Sequence, residues 1–352
     1  MAANINFGPD TSLPRSHGQF HNFFPQWNAG LQATLATYCT TAIDAYNNPN
    51  LKSSNATYAV IQCLLDQMPN FRQVEMNVSS VILGLTPTLI QSLGMTTVHT
   101  GILSQRRPVL AFFLSVGSPV VSTLQPTDYS DKIAHELREP TGWYPKKLFH
   151  NNSSWARYMV SLAEYLLVFA AVANVSTLAY QLGYWSVSIF AIQITWLPAL
   201  WTFLAFGIHI IGVFALRFRF KLHYPVDQSS RQHQERRQWR IVRWLERELI
   251  PAGFQPGIVV LRQKDNPWFH VLTWILYFSV IAHVLFGTML LSSLLFISSS
   301  DAVGIAGKYA LSTVACRLVM VFELMGMRHS GMRVEKGEPS EEKASAVPLN
   351  AP

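Results

Sequence analysis

In this chain of 352 residues only 13% are charged and 49% are hydrophobic, whereas ordinary soluble domains carry about 25% charge, so a soluble globular enzyme is the first class excluded. The net charge of +7 is concentrated in one segment between apolar runs. Membrane orientation or anionic lipid accounts for that excess better than nucleic acid, because no basic stretch with interleaved aromatics lies elsewhere.

The first residues, MAANINFGPDTSLPRSHGQF, lack a basic region followed by a short apolar core. No cleavable signal peptide is expected, and insertion would begin at an internal span. Residues 1–77 form a polar-to-mixed region with Arg15, Lys52 and Arg72 against Asp10, Asp44, Asp66 and Glu75. Of the cysteines Cys39, Cys63 and Cys316, only Cys39 and Cys63 lie outside a span together, which makes them the disulfide candidate. Asn55 and Asn77 open N-x-S/T sequons and are glycosylation candidates; Asn151, Asn152 and Asn174 match the same pattern at less suitable places. His17 and His21 have helical spacing but no third ligand nearby, and no metal site or cofactor is expected.

Two weak apolar segments follow. Val78–Met95 is interrupted by Pro87 and Gln91; Pro108–Leu124 is introduced by Arg106 and Arg107 and broken by Gly117 and Pro119. Each could cross, re-enter, or form one arm of a hairpin. Pro108–Gly117 provides only ten residues, about 15 Å of helix or half a bilayer.

After a polar stretch at 125–157 come four strong runs, Tyr158–Tyr180, Val187–Leu216, Trp268–Ile297 and Ala302–Gly326. About twenty apolar residues cross a ~30 Å hydrocarbon core. The fold class is therefore an all-α polytopic transmembrane helix bundle, with five spans plus a re-entrant segment or six spans. The bundle occupies 78–326, with a basic cytoplasmic loop at 217–267 and a disordered cytoplasmic tail at 327–352. Pro198 is expected to kink the run in which it lies.

Counting lysines and arginines outside the spans, six spans with the N-terminus inside put 23 inside and 3 outside; five spans with it outside put 22 inside and 4 outside. Charge does not separate the two. The low cation count of 1–77, the cysteine pair and the sequons favour an external, luminal or extracellular N-region in the secretory pathway, with the plasma membrane preferred over an internal one.

Ionisable groups at bilayer depth are the default place to look for function. Glu164, His209 and Arg317 lie roughly 9, 12 and 13 Å from the cytoplasmic ends of their spans, a common depth for a polar site. His283 sits near the centre, and Glu323 lies near the edge, where it is expected to reach water. Residues 229–250 form a basic amphipathic helix, with Arg236, Arg240, Arg243 and Arg247 beside Trp239 and Trp244, suited to an anionic lipid surface at the cytoplasmic face. There is no H-E-x-x-H, C-x-x-C, G-x-x-x-x-G-K-[ST] or G-x-S-x-G sequence.

The stretches VILGLTPTLIQSLG and SQRRPVLAFFLSVGSPVV, after a cysteine-bearing N-region, resemble multi-pass integral membrane proteins of filamentous fungi of no assigned activity. The resemblance covers residues 39–124 and implies an external, disulfide-bearing N-region. The sequence supports a membrane protein that binds or moves a small molecule or supports a protein partner. The alternatives are a membrane-embedded enzyme acting on a lipophilic substrate through Glu164, His209 and Arg317, and a purely structural scaffold.

Overall fold

The computed structural model describes residues 18–48, 55–125, 154–223, 244–245, 247–255, 259–262, 267–329 and 333–336. The helices are α1 (Pro25–Thr37), α2 (Thr40–Asn47), α3 (Asn55–Gln67), α4 (Asn70–Gln91), α5 (Thr97–Ser104), α6 (Pro108–Gly117), α7 (Ser154–Tyr184), α8 (Leu197–Arg219), α9 (Pro267–Ser292) and α10 (Ser299–His329). Short strands complete it: β1 (Val187–Ser188), β2 (Phe220–His223), β3 (Val259–Arg262), β4 (Leu294–Leu295) and β5 (Arg333–Lys336). The described residues form an all-α bundle with two small sheets.

Helices α7 to α10 are each long and apolar enough to cross a membrane. Their outward faces carry Leu166, Phe169, Phe203, Phe214, Trp274, Phe278, Leu285 and Leu318, all exposed. A band of that kind belongs in lipid, as in an integral membrane protein.

The run expected from Val187 is split. Residues 187–188 pair antiparallel with 294–295 across the end of the bundle, and the helix begins only at Leu197, with Pro198 in its first turn. A proline there lacks an N–H the helix does not need; Pro198 starts α8 and does not kink it. Likewise residues 293–297 leave the helix expected to continue to Ile297.

The bundle has two distinct ends. At one, α1 to α3 fold over a core of Phe20, Phe23, Trp27, Leu31, Leu35, Val60 and Leu64 that continues into Val187, Leu295 and Phe296. A disulfide joins Cys39 and Cys63 in this cap. The opposite, basal end carries Arg106, Arg107, residues 247–255, and a sheet ordered β2-β3-β5. Residues 333–336, in the tail expected to be disordered, form β5 parallel to β3.

The two weak apolar segments form the irregular part of the bundle. Helix α4 leaves the cap and packs against α9 and α10, with Gly84 against Ser292. It ends at Gln91; after a break α5 begins, its first turn capped by the Thr96 hydroxyl accepting from His99 N. Five residues, 92–96, separate the two helices. Helix α5 lies on α8, where a Cβ on Gly212 would come within 2.5 Å of Thr97 Cβ. Only glycine permits that approach. From Arg107 the chain reverses into the ten-residue α6, which stops at Gly117 against Cys316 and Ala171. Val121 then bridges Met95 in parallel and Ser122 N donates to Met95 O. The segment after Arg106 therefore goes in as a half-length helix and turns back beside the break in α4–α5.

Candidate functional site

Helix α5 and the half-helix α6 bring two buried polar centres into the basal half of the bundle. The first is built on Arg107, whose side chain is wholly buried in the α5–α6 turn. One terminal nitrogen donates to both Glu164 of α7 and Glu323 of α10, the latter at 2.7 Å. The other terminal nitrogen donates to Ser161 at 2.7 Å, and Nε donates to the Glu248 carbonyl at 2.8 Å. Tyr165, whose ring lies 5.4 Å from the guanidinium carbon, donates its hydroxyl to Glu248 Oε1. The same oxygen takes the Leu110 N–H, and Glu323 takes the Ala252 N–H. Arg106 closes the set by donating to the Ala252 carbonyl at 3.0 Å.

Burial opposes the charge on Arg107, but Glu323 and Glu164 more than reverse this, and its pKa is raised. A planar guanidinium with five donors suits such a site; a lysine ammonium would not reach four acceptors in one plane. These contacts fasten four parts of the chain together: the α5–α6 turn, α7, α10 and residues 248–252.

The second centre is His209 on α8. Its Nδ1 lies 2.9 Å from the Thr100 hydroxyl on α5. Its Nε2 is buried and has no hydrogen-bond partner among the described residues. The residue is among those lining a cavity of about 290 Å³ between α5, α6 and α8, together with Ala111, Phe112, Phe206, Ile210, Val213 and the exposed Arg217. The cavity hydroxyls of Ser104 and Ser115 are already bonded to carbonyls of their own helices. Phe112 and Phe214 at its mouth face outward, where lipid would lie.

The residues singled out in the sequence are thus dispersed. Glu164 finds Arg107, His209 finds Thr100, and His283 donates Nε2–H to the Pro119 carbonyl while stacking on Trp201 at 5.6 Å. Arg317 is exposed and donates to the Ser92 carbonyl at 2.9 Å, at the break after α4. Glu323, expected to reach water, is buried and ion-paired because Arg107 docks beside it. The common depth of Glu164, His209 and Arg317 does not make one site; the three face different neighbours.

Of the surface calls, Asn55 opens α3 and Asn77 is exposed on α4. Asn174 instead donates to Lys308 O and Ser312 Oγ, linking α7 to α10. Trp244 and Arg247 are exposed, next to the buried Glu248, while Arg236, Trp239, Arg240 and Arg243 lie outside the described residues. No cluster of three metal-ligating side chains occurs among the described residues.

Comparison assigns no family. No family model matches the chain, and neither a curated protein nor a solved structure is detectably similar to it.

Arg107, Glu248, Thr100 and Ser161 belong to these buried polar centres, and composition and spacing did not mark them. Arg106-Arg107 read as a flank of an apolar run, and Glu248 as one charge in a basic helix. Nothing in composition or spacing tied them to Glu164 and Glu323, since the apolar runs hold as many cations, Lys308 and Arg317, as carboxylates.

Proposed function

We propose that this is a multi-pass membrane protein of the secretory pathway whose bundle takes up a small molecule, with the disulfide-bearing cap on the luminal or extracellular side. Five crossings, the first formed by α4 and α5 in series, plus the re-entrant α6 segment, agree with the positive-inside count and place Arg106 and Arg107 with the basic cytoplasmic loop. The cap's disulfide favours an oxidising compartment. The plasma membrane, glycosylation at Asn55 or Asn77, and anionic lipid under the 229–250 helix complete this reading.

The observation that carries it is the break between α4 and α5 with the half-helix α6 beside a cavity. Non-helical backbone at membrane depth is tolerated where protein buries it or where it lines a cavity, and in transport proteins broken helices build the binding site. The enzyme reading loses its proposed trio, since Glu164, His209 and Arg317 each hold a different partner. The scaffold reading keeps one support, the closed Arg107 network.

Native mass spectrometry of the full chain released from nanodiscs tests the proposal. A defined small molecule retained near one per chain is expected; adducts that merely follow bulk lipid abundance would leave the scaffold.

A further inference from the structure

We infer that the groove between α5, α6 and α8 holds one acyl chain of an anionic phospholipid from the cytoplasmic leaflet, with the headgroup phosphate on Arg217. This rests on the reading of the protein as a small-molecule binder and names the ligand class.

Phe206, Ile210, Val213 and Arg217 recur at helical spacing and all line the cavity, so they form one stripe along α8 that ends in a cation. Ala111 and Phe112 supply the α6 wall. From Phe206 to Arg217 the stripe runs about 16 Å at 1.5 Å per residue, and the volume of about 290 Å³ is at the small end of the ~300–1,000 Å³ range for ligand pockets. That is room for one chain. The hydroxyls of Ser104 and Ser115 are bonded to carbonyls of their own helices, and that of Thr100 is engaged by His209 and the Thr97 carbonyl, so the walls above Arg217 offer apolar surface. Phe112 and Phe214 are exposed on the lipid side, which lets a chain enter sideways and leaves a second chain in the bilayer.

Arg217 decides the sign and the height of the headgroup. It lies two residues before the end of α8, about 3 Å from it at 1.5 Å per residue, which is headgroup level and not bilayer depth. It is exposed and has no ion pair or hydrogen bond among the described residues, whereas the neighbouring Arg219 is buried against Phe269. Among the described residues Arg217 is the charged one that lines the groove. A guanidinium pairs with phosphate through two parallel N–H bonds. In the proposed topology this end of α8 meets the cytoplasmic leaflet, and anionic phospholipid is the acid which that leaflet supplies in bulk.

The test is photolabelling of the full chain in phosphatidylcholine vesicles with phosphatidylserine or phosphatidylcholine carrying the same diazirine acyl chain, followed by mapping of adducts. Adducts on 108–115 and 206–217 are expected at least fivefold more often from the phosphatidylserine probe, while the exposed Trp274, Phe278 and Leu285 of α9 label equally from both. Arg217→Gln, a change at an exposed residue, should abolish the preference. Ala111→Phe and Val213→Phe, which fill the groove from opposite walls, should lower groove labelling by either probe at least fivefold and leave α9 unchanged. Circular dichroism and detergent unfolding select the variants that fold as wild type. Equal groove labelling by the two probes, a preference unchanged in Arg217→Gln, or labelling unchanged in folded Ala111→Phe and Val213→Phe would overturn the inference. Stronger groove labelling by a diazirine palmitate would assign the groove to a free fatty acid and overturn the phospholipid. Any of these results with a defined molecule still retained in native mass spectrometry overturns this site alone; the same results with nothing retained overturn the proposed function as well.

Discussion

Arg107 is the residue on which the basal half of the bundle depends. It compensates two buried carboxylates at once and also holds Ser161 and the 248 carbonyl. Removing one partner from such a buried set costs about 3–5 kcal/mol, because the charges left behind cannot rehydrate, whereas replacing the whole set costs far less. Arg107→Ala should therefore lower unfolding stability in detergent micelles by about 3–5 kcal/mol. The triple change Arg107→Met, Glu164→Gln and Glu323→Gln should recover most of that loss. A triple variant as unstable as Arg107→Ala would show that the damage comes from the arginine's packing. Glu164 and Glu323 were legible as charges inside apolar runs. Their partner was not, because depth along a helix says nothing about which way a side chain faces, and Arg107 sits just outside a run. Arg317 misled for the same reason: its depth matched Glu164, but it points outward to Ser92.

At the scale of elements, the decisive feature is the break between α4 and α5. Helix α4 ends with carbonyls that lack helical partners, and Arg317 donates to one of them, Ser92 O. This bond is exposed, and a single hydrogen bond from a charged donor contributes about 1.5–3 kcal/mol when well buried and less when not. Arg317→Leu, measured in the same micelles, should cost at most about 1.5 kcal/mol, clearly less than Arg107→Ala. A loss equal to that of Arg107→Ala would make Arg317 part of the central network, contrary to its observed neighbours. Sequence alone gave α6 its length, since Pro108 and Gly117 bound it and ten residues cannot cross. It also identified all four long helices. What it could not give was the joining of α4 and α5, because Pro87 and Gln91 make the first segment read as weak, and α5 has only eight residues. The split of the Val187 run escaped for a simpler reason: apolar character continues from 187 to 216, and the strand pairing with 294–295 that ends the helix is a long-range contact.

For the whole molecule, the cap, the basal network and the cavity fit together only if the two ends of the bundle face opposite compartments. The cap holds a disulfide of sequence separation 24, which is stable where thiols are oxidised. The basal end holds the arginine pair, the 247–255 segment and the last turn of α8 with Arg217 and Arg219, consistent with a cytoplasmic face. The proposed topology has an odd number of crossings and a half-helix that opens on the inner side. The decisive measurement is labelling by a membrane-impermeant maleimide in sealed vesicles of known sidedness, with single cysteines introduced as Ser53→Cys and Ser345→Cys. Background is low because Cys316 is buried and Cys39 and Cys63 are joined. Reaction of Ser53→Cys from the luminal or extracellular side and of Ser345→Cys only from the other is expected. Labelling of both positions from one side would mean an even number of crossings, and would contradict both the series crossing of α4 and α5 and the re-entry of α6.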